Sequence, residues 1–144
     1  GLRLTKNYQP NPFSLKAKST LRDCHGRFND IDNNLPHNLL SCLDIGCNEG
    51  YFTFKMAERG GFCLGVDSGR NEIMIAEAIC KIHKIENAVF SNSLITTESL
   101  KGLPKFDVVI FLSVFHHLVR HNGLESATQY MQEISLINTK YLLM

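Results

Sequence analysis

The residues best placed to do chemistry in this chain are Asp44, Gly46, Asn48 and Gly50, within the run Leu43-Asp-Ile-Gly-Cys-Asn-Glu-Gly-Tyr-Phe52. An apolar strand ending in an acid, a glycine turn and the start of a helix follow one another here. Glycine has no Cβ and accepts positive φ, so a ligand can approach the main chain of such a turn, and the first amides of the helix point towards it. Asparagine takes left-handed angles better than most residues, so Asn48 suits the middle of the turn. The dinucleotide fingerprint Gly-x-Gly-x-x-Gly puts its last glycine about five residues after its first. The run Gly46-x-Asn48-x-Gly50 is shorter and is led by a carboxylate. An acid at the mouth of a turn repels a diphosphate and attracts an ammonium group. The same residues also suit a plain strand–turn–helix junction with no ligand.

A second acid, Asp67, closes the next apolar segment, Phe62 to Val66, with Ser68 beside it as a cap for the following helix. A carboxylate at that strand end can accept hydrogen bonds from two ribose hydroxyls. It can equally serve only the dipole of the next helix. Asn92, Ser93 and Leu94 follow a third apolar segment, and the amide or hydroxyl oxygens there can accept a hydrogen bond from a base amino group; an ordinary turn is the alternative. Further on, Phe106-Asp-Val-Val-Ile-Phe-Leu-Ser-Val-Phe-His-His-Leu118 ends a strand in Leu112 and Ser113 and continues into His116 and His117. Imidazole titrates near neutrality and suits a general base; two packed, hydrogen-bonded rings are the other reading. Adjacent histidines with only distant His121 to join them make a poor metal set, and no metal is expected.

These residues need strands to carry them. Apolar segments at Leu39 to Ile45, Phe62 to Val66, Ala88 to Phe90, Phe106 to Leu112 and Tyr141 to Met144 alternate with helical stretches at Tyr51 to Arg59, Asn71 to His83 and around Leu124, Ala127, Met131 and Ile134. Continuous apolar strands imply burial on both faces, hence a parallel sheet, and right-handed crossovers wind it doubly. The expected fold is α/β, a doubly wound, mostly parallel sheet, with ligands bound beyond the carboxyl ends of its strands. Gly46, Asp67, Asn92 and Ser113 all fall at that rim.

The 144 residues suit one domain, with a basic arm at 1–34 and a core at 35–144. Net charge is only +1, yet Arg3, Lys6, Lys16, Lys18, Arg22 and Arg27 stand against Asp23 alone at the start. Such an arm can meet phosphate, RNA or a carboxylate, or be a solvated surface. An odd set of five cysteines without a Cys-x-x-Cys pair favours a reducing, cytoplasmic setting over a disulfide framework. No apolar run is long enough to span a bilayer.

The run from Asp44 to Gly50 resembles motif I of the class I S-adenosylmethionine-dependent methyltransferases, Asp/Glu-x-Gly-x-Gly-x-Gly, with Asn48 in the middle glycine position. That resemblance implies a Rossmann-like methyltransferase fold and S-adenosylmethionine as cofactor. Gly46 to Gly50, with Cys47 and Asn48 between them, would hold the methionine end, Asp67 the ribose, and Asn92, Ser93 and Leu94 the adenine; Asp44, Tyr51, Phe52 and Ser68 are expected among the cofactor-binding residues as well. The family often has an acid at that last place, and this chain has none. Phe106 to Leu118 resembles motif IV, which would put Leu112 and Ser113 beneath the cofactor and His116 and His117 near the methyl group. The segment Leu112 to Gly123, with Tyr8-Gln9-Pro10, is similar to the methyltransferase part of O-antigen chain-terminating methyltransferase–kinases, which methylate a phosphate at a glycan end. Tyr8 and Gln9 would then fold over the cofactor, and Arg22 would pair its carboxylate. Methylphosphate-capping RNA methyltransferases share the Asp-x-Gly-Cys-Asn type of turn.

The expected activity is methyl transfer to an oxygen acceptor, a phosphate or hydroxyl on a glycan, RNA or small molecule. The alternatives are a non-catalytic S-adenosylmethionine-binding module and a nucleotide-dependent oxidoreductase. Domains of this class usually continue through two more strands, so the chain is expected to be truncated after the fifth strand, with further chain or a partner covering that strand.

Overall fold

The structure, a computed structural model, describes residues 23–112 and 114–144. Tyr8, Gln9, Arg22 and Ser113 lie outside the described residues. The elements run α1 (Cys24–Asn34), β1 (Ser41–Ile45), α2 (Tyr51–Glu58), β2 (Phe62–Asp67), α3 (Arg70–His83), β3 (Ala88–Asn92), α4 (Thr97–Lys101), β4 (Val108–Ile110), α5 (Phe115–Ser135) and β5 (Tyr141–Leu143).

The strands form one sheet in the order β3-β2-β1-β4-β5, and every pairing is parallel. Leu43 stands opposite Leu64 on one side and Val109 on the other, and Asp44 stands opposite Gly65 and Ile110. From β1 the chain winds outward to β2 and β3, then returns to place β4 on the other flank. That reversal opens a crevice between the carboxyl ends of β1 and β4, where sheets of this kind bind ligands.

Burial on both faces shapes the central strands. Val108, Val109 and Ile110 are fully buried in succession, the pattern of a strand covered by helices on each side. One core holds Phe28, Phe54, Ile73, Ala76, Val108 and Ile110. The other holds Leu43, Val109, Phe111, Tyr130 and Ile134. At the amino end of the sheet, the Asp107 carboxylate accepts from the Leu40 amide at 2.7 Å and pairs with Lys140 at 2.7 Å, tying β1, β4 and β5 together.

Several boundaries differ from the expected ones. Leu39 and Leu40 precede β1, and Leu40 is 77% exposed; β4 is confined to three residues, with Phe106 and Leu112 flanking it. β3 extends to Asn92, because Asp67 and Asn92 still pair in register. Two helices carried no legible signal: α1, within the stretch read as an arm, and the five-residue α4, closed by a Thr96–Ser99 capping box. α5 begins at Phe115, ahead of the Leu124 to Ile134 stripe, and is interrupted at Gly123 (φ 80°, ψ 165°). Ala127 and Ile134 are buried as the stripe requires, but Leu124, just after the kink, is 63% exposed.

Candidate functional site

The turn after β1 is built from alternating left-handed residues: Gly46 (φ 74°), Asn48 (φ 55°) and Gly50 (φ 87°). The Gly46 and Cys47 amides both donate to the Val66 carbonyl, at 2.8 and 3.1 Å, which fastens the turn to β2. Gly50 then starts α2. A Cβ at Gly50 would lie 2.6 Å from the Phe90 ring, so positive φ and close approach both demand glycine there.

Asp67 is the clamp of this rim. Its Oδ2 accepts the Asn48 amide at 2.8 Å and its Oδ1 accepts the Gly69 amide at 2.8 Å, so one carboxylate joins the β1 turn to the start of α3. Asp44 is 3% exposed and accepts a hydrogen bond from the Thr53 hydroxyl at 2.7 Å. Burial pushes its carboxyl pKa up to about 7; the Thr53 hydrogen bond opposes that rise, and the negative charge of Asp67 adds to it. Both acids border the same space, and Asp44 is only partly ionised near neutral pH, so an entering cation favours its ionised form.

That space is a cavity of ≈ 340 Å³, within the usual range of small-molecule sites. Asp44, Gly46 and Asn48 of the turn line it, with Phe52 of α2 and Asp67, Ser68 and Glu72 around the start of α3. Ser93, Leu94 and Ile95 form the wall beyond β3. Leu112, Val114, His117, Leu118, His121 and Tyr130 close it from the β4–α5 side, and Cys24 and Arg27 from α1. The lining thus sets carboxylates at the strand ends against an arginine and two histidines from α1 and α5.

The expected residues divide between this cavity and its supports. Asp44, Gly46, Asn48, Phe52, Asp67, Ser68, Ser93, Leu94, Leu112 and His117 are brought together on its lining. Cys47, Gly50, Tyr51, Asn92 and His116 are not on it. Cys47 is 1% exposed, and burial raises its thiol pKa, so its sulfur is packing. The Tyr51 hydroxyl lies 3.4 Å from His25 Nδ1. Asn92 turns its amide nitrogen back to donate to the Asp67 carbonyl at 3.0 Å. His116 and His117 are both exposed, their rings 4.0 Å apart, and of the two His117 borders the cavity.

Sequence reasoning missed Arg27, Glu72, Ile95, His121 and Tyr130 among the lining residues. His121 had a usable signal: four residues beyond His117 on one helix, it shares that residue's face. Tyr130 had none, because an aromatic on an apolar helix face reads as core. Its hydroxyl donates to the Ile95 carbonyl at 2.7 Å and so holds the wall after β3. Among the described residues no group of three or more histidines, cysteines or acids gathers as a metal site.

The donor set fits a cationic, partly apolar nucleoside. Asn48 Oδ1 is buried without a hydrogen-bond partner among the described residues, and Asn48 lines the cavity. A buried acceptor left unpaired costs free energy unless a ligand donor satisfies it. With Asp44 and Asp67 adjacent, an ammonium or hydroxyl donor suits this place and a diphosphate does not.

A parallel sheet with its crevice at the β1–β4 switch point, and an acid-led glycine turn beside it, define a doubly wound, Rossmann-like α/β domain with a cavity at that crevice. The chain belongs to the methyltransferase domain family, whose profile matches residues 36–141. It is 29% identical over 130 residues to the O-antigen chain terminator bifunctional methyltransferase/kinase WbdD of Escherichia coli, covering 85% of this chain and 18% of that protein. The crystal structure of WbdD superposes with a TM-score of 0.73 at 27% identity, over 83% of this chain and 28% of that one. The ubiquinone biosynthesis O-methyltransferase of Bartonella tribocorum is 33% identical over 99 residues, 67% of this chain and 38% of the relative. The chain therefore spans well under half the length of these relatives.

Proposed function

We propose that this domain transfers a methyl group from S-adenosylmethionine to an oxygen acceptor. The observation that carries the proposal is the pair of carboxylates, Asp44 and Asp67, at adjacent strand ends around a left-handed turn in one cavity. A cation is favoured there and a diphosphate is disfavoured, which weighs against a nucleotide-dependent oxidoreductase. The name of one relative, an O-methyltransferase, supports oxygen as the acceptor atom.

When bound, the cofactor supplies an electrophilic sulfonium methyl group. The protein's part is positioning, which can contribute roughly 7–11 kcal/mol to lowering a barrier at best. In this reading Asp44 and Asn48 take the ammonium end, and Asp67 takes ribose hydroxyls on lone pairs its two amide bonds leave over. Ser93 and Leu94 flank the base, with Tyr130 keeping that wall in place. His117 and His121 face the acceptor, and Arg27, over the Phe52 ring, closes over the cofactor from the α1 side. A phosphate acceptor is already ionised and needs only to be held; a hydroxyl acceptor needs a base, and His117 is the imidazole placed for it. Five cysteines without a Cys-x-x-Cys pair support a reducing, cytoplasmic setting; among the described residues no helix is long and apolar enough to cross a membrane.

Calorimetry with S-adenosylhomocysteine and with NAD tests the cofactor. Heat with the first and none with the second is expected; the opposite result overturns the reading. Transfer of labelled methyl from S-adenosylmethionine to phosphate-ended and hydroxyl-ended glycans then decides the acceptor. Cofactor binding with no transfer to either class favours a binding module.

A further inference from the structure

α1 forms one wall of the cavity, yet its own sequence cannot sustain it. Cys24-His-Gly-Arg-Phe-Asn-Asp-Ile-Asp-Asn-Asn34 contains a glycine and three asparagines, all weak helix formers. At 11 residues it is shorter than helices that persist alone in water. No basic residue lies in its last turn, and Asp30 and Asp32 sit towards the negative end of its dipole, where acids are unfavourable. The start is better provided for, since Asp23 accepts the Gly26 amide at 2.8 Å. Cys24 and Phe28 are buried against the sheet-side core. The far end depends on a side chain from another helix.

That side chain is Arg59, just past the end of α2 and only 9% exposed. Its Nη2 donates to the carbonyls of Leu35 at 3.0 Å and Pro36 at 2.8 Å. Its Nη1 donates to the Asp32 carbonyl at 3.3 Å and pairs with the Asp32 carboxylate. One guanidinium thus satisfies three carbonyls around the end of α1 and neutralises a misplaced acid. Arg59 is not on the cavity lining; Cys24 and Arg27 of α1 are. Arg27 also lies over the Phe52 ring, 5.7 Å from its centroid.

We propose that Arg59 is a positioning residue, a latch that fastens α1 as a wall of the cavity and thereby sets Arg27 against the bound ligand. Closure of α1 and occupancy of the cavity are then coupled, and the coupling is reciprocal. The latch rests on the structure of α1, and only the identity of its ligand rests on the proposed cofactor.

The test uses the full chain, with Arg59→Lys and Asp32→Asn. Lysine keeps the charge but is a single centre that cannot bridge the carbonyls while holding Asp32. The readouts are alkylation of Cys24 by iodoacetamide, hydrogen exchange over residues 24–34, the thermal midpoint, and calorimetric affinity for S-adenosylhomocysteine. In Arg59→Lys, Cys24 labelling and α1 exchange should both accelerate about tenfold while buried Cys42 and Cys63 stay protected. Affinity should fall about tenfold as well, and added ligand should slow Cys24 labelling again. Asp32→Asn should move every readout the same way by less. Unchanged Cys24 labelling in a folded Arg59→Lys protein overturns the latch. Faster α1 exchange with unchanged affinity overturns its link to the ligand. If Arg59→Lys does not fold, Asp32→Asn is judged by the same criteria. Failure of wild type to bind S-adenosylhomocysteine overturns the cofactor alone, and the labelling rates still decide the latch.

Discussion

Replacing Asp44 by asparagine separates the charge of this residue from its shape. The folded-state carboxyl is raised from 3.8 to about 7, mainly by burial. The folded protein therefore keeps a proton that the unfolded chain gives up, which is the reverse of the usual surface aspartate. The contribution of Asp44 to stability is fullest below pH 4 and falls as pH rises towards 7. A shift of about three units corresponds to about 4 kcal/mol across that window. Asparagine keeps an acceptor for the Thr53 hydroxyl but carries no charge, so urea titrations of Asp44→Asn should lack this decline between pH 4 and 7. The variant should be the more stable protein at pH 8.

Ligand affinity should move the opposite way. A bound ammonium favours the ionised carboxylate, so binding of S-adenosylhomocysteine should strengthen about tenfold per pH unit from 5 to 7 and then level off. Asp44→Asn should lose that slope. At pH 8 it should also bind more weakly by about 2–3 kcal/mol, the worth of a hydrogen bond to a charged group. His117 and His121 are common to both proteins, so the difference between the two curves belongs to Asp44. Calorimetry in buffers of different ionisation heat reads the proton directly. An affinity independent of pH in the wild type, or an identical slope in the variant, refutes the reasoning.

Gly50→Ala must hold φ 87° with a Cβ against the Phe90 ring; denaturant titration should show a loss of about 2–4 kcal/mol from strain and overpacking together. Tyr130→Phe removes the donor to the Ile95 carbonyl, and since burial raises that phenol to about 12 it is a donor at every working pH. The variant should lose about 1 kcal/mol of stability at any pH from 6 to 9, and hydrogen exchange should quicken around residues 93–96. His117→Ala should lower methyl transfer to a hydroxyl acceptor by about a hundredfold, whereas His116→Ala, off the cavity lining, should leave it within about threefold; equal losses from both would return catalysis to the pair. Asp67→Asn should weaken S-adenosylhomocysteine binding and also loosen the turn, because the Asn48 and Gly69 amides then share a neutral acceptor and a donor where two carboxylate oxygens stood. An unchanged affinity for Asp67→Asn would set aside its ribose role.

What the sequence made legible follows the physics of each signal. The sheet was readable because strands buried on both faces must be apolar throughout, and Val108 to Ile110 obey that without exception. The turn was readable because few residues tolerate left-handed angles, and Gly46, Asn48 and Gly50 are three that do. α1 was not readable, because its stability comes from Arg59 and a buried Phe28, and no local propensity announces a helix held from outside. For the same reason Arg27 was counted with the basic arm when it belongs to a cavity wall. The division between His116 and His117 depends on the angle at which α5 leaves Val114, and adjacent identical residues carry no information about which of them borders the cavity.

The two acids illustrate the deeper limit. Their positions at strand ends were evident, and so was their preference for a cation. Their different tasks were not, because a task depends on burial. Asp67 is half-buried and spends two oxygens on backbone amides, which makes it a structural clamp as much as a ligand group. Asp44 is sealed beneath it and accepts from Thr53 through both hydroxyl and backbone, and the neighbouring charge makes its own ionisation harder. A cation entering the cavity meets one carboxylate already committed and another whose proton it must displace. The same burial that lowers stability towards neutral pH therefore makes Asp44 the residue through which pH would regulate binding.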